Sequence, residues 1–187
     1  MGYSMADIFA QNGYEVTLWN HRQPTLDKAK TKISPAAAEK ITFTTSLDAF
    51  RGRDLIVESI AENLDIKLDF YRQMSPLADP ETIIATNTSG LSINKLAEAV
   101  TGPERFLGMH WFNPPTLIPL IEIIKNAKTR PDVARTIYDL SLAIGKKPAW
   151  WKRMCPALRP TGSNWRCSGK PWPWSGTGWS AWKGLTR

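Results

Sequence analysis

Residues 1–148 contain no cysteine. That excludes a disulfide framework and a thiolate metal centre from this part of the chain. Cys155 and Cys167 both fall later. No apolar run approaches the ~20 residues a membrane helix needs. The start, Met1-Gly2-Tyr3-Ser4-Met5-Ala6, lacks a basic stretch followed by an apolar one, so it does not read as a secretory signal. Ala6 also breaks the myristoylation pattern. Acidic residues are missing altogether from residues 149–187, which hold seven Lys+Arg and seven of the nine Trp. Residues 1–148 carry 17 Lys+Arg and 17 Asp+Glu, so the net charge of +7 belongs wholly to the last stretch. A balanced body gives no electrostatic footprint for nucleic acid, and the expectation is a cytoplasmic chain with neither nucleic acid nor membrane as partner. The rival reading places single-strand binding in the Trp-, Lys- and Arg-rich tail.

What is present is alternation. Met5 to Asn12 has helical spacing and stops at Gly13. Tyr14 to Trp19 reads as a strand, and Thr25 to Ile33 as a helix whose first turn suits Pro24. Ile41-Thr42-Phe43 is a short strand and Leu47 to Phe50 a helical piece. Asp54 to Ser59 reads as a buried strand, Leu64 to Met74 as an amphipathic helix, and Thr82 to Thr86 as a strand. A helix over Ile93 to Ala99, strands over Phe106 to His110 and Leu117 to Ile124, and a helix from Pro131 to Ile144 complete the pattern, with Gly145 as its stop. Strict alternation predicts a parallel α/β sheet covered on both faces.

Three polar groups stand at the ends of apolar runs: Ser89 in Ala85-Thr86-Asn87-Thr88-Ser89-Gly90, His110 in Gly108-Met109-His110-Trp111-Phe112-Asn113-Pro114, and Glu122 within Leu120 to Ile124. A hydroxyl, an imidazole and a carboxylate suit removal of a proton from an alcohol while a cofactor takes the hydride. A carboxylate among apolar neighbours, as Glu122 is, needs a partner. The opening fits a dinucleotide fold that is incomplete. Such folds run a strand into G-x-G-x-x-G and then a helix. Here Met1-Gly2 read as the last two residues of that turn, with the first strand and first two glycines absent. The next strand ends in Asn20-His21-Arg22, where an acidic residue for the adenosine ribose is expected. Asn20 can still bond a hydroxyl, whereas Arg22 would suit a 2′-phosphate, so NADP stays open beside NAD.

Taken with Leu55-Ile56-Val57-Glu58-Ser59-Ile60-Ala61-Glu62-Asn63-Leu64, these motifs make Gly2 to about Pro148 resemble the NAD-binding domain of the 3-hydroxyacyl-CoA dehydrogenases, 3-hydroxybutyryl-CoA type. The resemblance implies a Rossmann-like doubly wound α/β sheet, here lacking its first strand. It implies oxidation of an L-3-hydroxyacyl-CoA to the 3-ketoacyl-CoA with NAD, in fatty acid or butanoate metabolism. It assigns His110 as base, Glu122 as its partner and Ser89 as the hydroxyl on the substrate oxygen. Gly2, Asn20, Glu62, Lys67, Ser89 and Asn113 match cofactor positions, and no metal is implied. The segment between Asn20 and Ile41 is shorter than the family's Lys-rich hairpin, which keeps another NAD(P)-dependent β-hydroxyacid dehydrogenase as an alternative.

Beyond Pro148 the family pattern stops. Reading each codon one nucleotide earlier turns Trp151 into Val, Lys152 into Glu, Cys155 into Val and Trp165 into Leu, and permits the family's continuation. Residues 149–187 are therefore expected to be an irregular, disordered tail from a shifted reading frame, in place of a helical domain that carries dimer contacts and a substrate-holding Asn. With both ends altered, little or no activity is expected from the chain itself.

Overall fold

The computed structural model describes residues 1–151, 159–161 and 164–166. The chain divides into two compact units, Met1–Arg153 and Met154–Arg187. Of the second unit, two short strands are described, Arg159–Thr161 and Asn164–Arg166, paired antiparallel. The rest of the expected irregular tail, with Cys155 and Cys167, lies outside the described residues.

The first unit opens with helix α1 (Gly2–Gln11), whose buried face is Met5, Ala6, Ile8 and Ala10. Gly13 turns the chain at φ +93°, a conformation that favours glycine. Strand β1 (Val16–Trp19) follows, then α2 (Gln23–Lys30), a short α3 (Pro35–Ala38) and β2 (Ile41–Thr44). The segment expected to hold one helix therefore holds two, the second started by Pro35 at its first turn. β1 and β2 pair in parallel as a separate two-stranded sheet. Ala6, Ala10, Ala37 and Ile41 form the core beneath it.

A second sheet holds β3 (Leu55–Glu58), β4 (Ile83–Thr86), β5 (Phe106–Trp111), β6 (Leu120–Lys125) and β7 (Lys147–Trp151), in that order. Helices α4 (Leu64–Met74), α5 (Ile93–Ala97) and α6 (Pro131–Ala143) connect them. Asn63 caps α4 by accepting the Ile66 amide at 3.1 Å. Both faces of β3 are covered. Leu55 and Val57 pack on the cluster of Met5, Met109, Ile121 and Ile137, and Glu58 turns the other way to Tyr71 of α4. The doubly wound α/β class is therefore as expected, with the sheet split in two.

Two expectations are corrected. β6 runs antiparallel to β5, with His110 opposite Glu122. The two strands are joined by a loop with no helix, so no crossover returns the chain to the same end. The expected boundary at Pro148 falls inside β7, which pairs in parallel with β6 as far as Ile124–Trp151. Trp150 stacks on Tyr138 of α6 at 5.0 Å between centroids and 7° between planes. No helix among the described residues is long and apolar enough to cross a membrane.

Candidate active site

The antiparallel register of β5 and β6 makes the polar pair. His110 and Glu122 are cross-strand partners, and directly opposite side chains share one face of the sheet. Nδ1 of His110 lies 2.9 Å from Oε2 of Glu122. Both side chains are mostly buried, at 14% and 20% exposure, so water screens the pair only partly. A carboxylate at Nδ1 places the neutral ring's proton there and leaves Nε2 as an acceptor. Phe112 packs against the imidazole at 4.6 Å.

The loop after β4 approaches from the neighbouring strand. Asn87 Oδ1 accepts the amide of Trp111 at 2.7 Å. That bond ties the segment of Ser89 to the residue beside His110. Ser89 itself is exposed, and its amide donates to Glu62 Oε1 at 2.9 Å. The same oxygen accepts from Thr88 Oγ1 at 2.5 Å and from the Gly90 amide at 3.0 Å. Partial burial pushes the Glu62 carboxyl up. The hydrogen bonds from Thr88, Gly90 and Ser89 and the charge of Lys67 outweigh it and hold the group below its ordinary value. Glu62 thus fastens the Ser89 loop.

Lys67 is not on a wet helix face. It is fully buried; its Nζ lies 2.5 Å from Glu58 Oε1 and 3.6 Å from Glu62 Oε2. Glu58, buried at the end of β3, also accepts from Tyr71 at 2.6 Å, Thr86 Oγ1 at 2.7 Å and the Ile60 amide at 2.6 Å. Burial, and then the Glu58 charge, push the Tyr71 hydroxyl well above its ordinary pKa, so it stays a donor. Sequence reasoning assigned no role to Glu58, Tyr71 or Thr86. The signal was available: a Glu within an apolar strand requires partners.

The remaining sequence candidates stand apart. Gly2 and Asn20 line a cleft between β1 and β3. Asn20 Oδ1 accepts the Arg22 amide at 3.0 Å, which leaves its side-chain amide free to donate to a hydroxyl. α1 has no acidic residue in its first turn and no side-chain cap, as an anion at a helix N-terminus requires. Asn113 is exposed on the loop after β5. The structure thus unites His110 with Glu122, and Glu62 with Lys67 and Ser89, and puts Gly2 and Asn20 in one cleft. No group of three metal-ligating side chains occurs among the described residues.

An imidazole held by a carboxylate on a doubly wound sheet fits the class of dinucleotide-dependent dehydrogenases. Within that class, the chain belongs to the family described as 3-hydroxyacyl-CoA dehydrogenase, NAD binding domain, which matches residues 1–154. NAD is thus the cofactor of the family, where the Asn20-His21-Arg22 segment had left NADP open. The chain is 36% identical over 173 residues to 5-formyl-3-hydroxy-2-methylpyridine 4-carboxylate 5-dehydrogenase of Mesorhizobium japonicum, covering 84% of this chain and 56% of that one. It is 35% identical over 164 residues to the probable 3-hydroxybutyryl-CoA dehydrogenase of Deinococcus radiodurans, covering 79% and 59%. The crystal structure of 3-hydroxybutyryl-CoA dehydrogenase from Escherichia coli K12 superposes with a TM-score of 0.76 at 27% identity, over 80% of this chain and 35% of that one. The chain spans little more than half the length of the two curated relatives, 56% and 59%.

Proposed function

We propose that this site is built to oxidise the 3-hydroxyl of an L-3-hydroxyacyl-CoA to the 3-ketoacyl-CoA, in the cytoplasm, and that the chain by itself does so with little or no activity. The observation that carries the reading is the 2.9 Å contact between His110 Nδ1 and Glu122 Oε2. Nε2 of His110 takes the hydroxyl proton. Glu122 holds the tautomer and stabilises the imidazolium that forms. Ser89 donates its hydroxyl to the substrate oxygen, on a loop fixed by Glu62. A positioned base of this kind contributes about 10²–10⁴-fold.

NAD, when bound, supplies the hydride acceptor. Gly2 at the start of α1 would face its diphosphate and Asn20 a ribose hydroxyl, while Glu62, Ser89 and Asn113 would hold the nicotinamide end. Lys67 would act there through Glu62, since its ammonium is spent on two carboxylates. The thioester substrate is favoured by the relatives named for hydroxyacyl-CoA chemistry.

The test compares L-3-hydroxybutyryl-CoA, its D-isomer and free 3-hydroxybutyrate, each with NAD and the purified chain, with ketone product read by mass spectrometry. Product from the L-thioester alone, in trace amount at most, is the expected result. Turnover of the free acid or the D-isomer at the rate of the L-thioester overturns the substrate assignment, and rapid turnover of the L-thioester overturns the expectation of little activity.

A further inference from the structure

The turn between α6 and β7 carries a buried cation that the reaction does not use. Gly145, at φ +74°, reverses the chain after α6, and the Lys146 amide returns to the Ser141 carbonyl at 2.9 Å. Lys146 is 9% exposed. Its Nζ donates to the carbonyl of Pro115 and lies 5.6 Å from the centre of the Trp111 ring. Among the described residues it has no carboxylate partner, and burial alone holds the ammonium below its ordinary pKa. A carbonyl and a ring face compensate a buried cation only in part. A methionine of similar length would fill the space without that cost. Stability therefore does not account for a lysine here.

What its two contacts share is their place. Trp111 and Pro115 belong to the segment that leaves β5 just after His110 and leads into β6 just before Glu122. Side chains alternate along a strand, so the indole of Trp111 lies on the sheet face opposite the imidazole. There it packs on Phe9 at 5.9 Å between centroids, while its backbone amide is held by Asn87 Oδ1. The loop itself has few bonds to give. Pro114, Pro115 and Pro119 have no amide hydrogen, Leu117 and Ile118 both donate to the Pro114 carbonyl within the loop, and Asn113, Thr116 and Leu117 are exposed. The α6–β7 turn reaches it twice: Lys146 at Pro115, and the Lys147 amide at the Pro119 carbonyl, 2.8 Å away.

We propose that Lys146 is a positioning residue for the His110 site: from the opposite face of the sheet its ammonium ties Pro115 to Trp111, and so fixes the loop on which Phe112 and Asn113 stand. Phe112 meets the imidazole at 4.6 Å, and Asn113 is the residue that would hold the nicotinamide end. That the loop serves a reaction rests on the dehydrogenase reading, whereas the clamp itself stands on the contacts of Lys146.

NMR and amide exchange on the full chain test it, with Lys146→Met and Lys146→Arg. The ring protons of His110 sense the ring current of Phe112, and the Leu117 and Ile118 amides report the loop. In Lys146→Met the urea midpoint is expected to stay at or above that of the wild type. Exchange at Leu117 and Ile118 is expected to quicken about tenfold, roughly 1.4 kcal/mol, and the His110 ring resonances to shift, with exchange over Ile121–Ile124 unchanged. Lys146→Arg, whose guanidinium can bond a carbonyl and lie on an indole, is expected to restore both signals. Wild-type exchange and resonances in Lys146→Met overturn the proposal. A lower urea midpoint with faster exchange throughout Ile121–Ile124 also overturns it, because Lys146 is then simply part of the core, as does a Lys146→Arg chain that restores neither signal. Titration with NAD separates the clamp from the reaction: Lys146→Met is expected to bind NAD about tenfold more weakly. Loop signals that change as expected, with NAD binding equal in the two chains or absent from both, keep the clamp and overturn its part in the reaction.

Discussion

At the scale of single residues, the buried Glu58–Lys67 pair organises more of the molecule than the exposed ion pairs do. Each partner is fully withdrawn from water, with side-chain exposures of 1% and 0%. Lys67→Met leaves an uncompensated carboxylate in the core and is expected to lower stability in urea unfolding by about 3–5 kcal/mol. Adding Glu58→Leu to it is expected to recover a large part of that loss, a coupling that a double-mutant cycle reads directly. Glu62 makes a pH-dependent contribution. Its folded pKa is depressed from the ordinary 4.5. Its stabilisation is therefore present above 4.5 and is lost as pH falls through the lower folded value. The difference in melting temperature between the wild type and Glu62→Gln is expected to stay constant from about pH 7 to 5 and to shrink in more acid solution. That Glu122 needs a partner was legible from its place amid Leu120, Ile121 and Ile123; that the partner is His110 came from the family resemblance. The burial of Lys67 was not, because an amphipathic helix shows which residues are polar but not that one points at a carboxylate.

At the scale of elements, the strands and long helices were legible from apolar runs and stops. α4 spans Leu64–Met74, as its periodicity requires. Its Asn63 cap gives a modest test: Asn63→Ala is expected to cost about 1 kcal/mol in urea unfolding. The pairing direction of β6 was not legible, since apolar runs look alike in parallel and antiparallel strands. β7 was obscured by its own residues. Lys147, Pro148, Trp150 and Trp151 do not alternate, and the strand is held by its ladder to β6 and by Trp150 stacking on Tyr138. Gly108 stands where β5 is crowded by its neighbours. A Cβ there would stand 3.0 Å from Ile93 Cδ1 and 3.1 Å from Ile124 Cβ. Gly108→Ala must shift the Ile93 and Ile124 side chains by a few tenths of an ångström and is expected to destabilise by about 1 kcal/mol. Because Gly108 lies two positions before His110, any activity of the chain is expected to fall with it.

At the scale of the whole molecule, the described body is a doubly wound sheet in two pieces, with the proton-handling pair intact on the larger piece. The cleft between the pieces follows from sequence: β1 and β3 are each apolar, yet they are paired only on their outer sides. That division separates two properties that the family combines. In the proposed reaction the chemistry would depend on β5, β6 and the Ser89 loop, whereas dinucleotide binding would draw on Gly2 and Asn20 across the gap. Saturating NAD is accordingly expected to be reached only at concentrations well above those a closed sheet would need, which equilibrium titration of NAD against the chain measures. The central claim is that a carboxylate-held imidazole removes the substrate proton. Its most direct test is the initial rate of NADH formation from L-3-hydroxybutyryl-CoA, at the highest attainable NAD, for the wild type, His110→Gln and Glu122→Gln. Loss of about 10²-fold or more in both variants, with folded circular-dichroism spectra retained, is the expected result. A His110→Gln chain that reduces NAD as fast as the wild type would contradict the account.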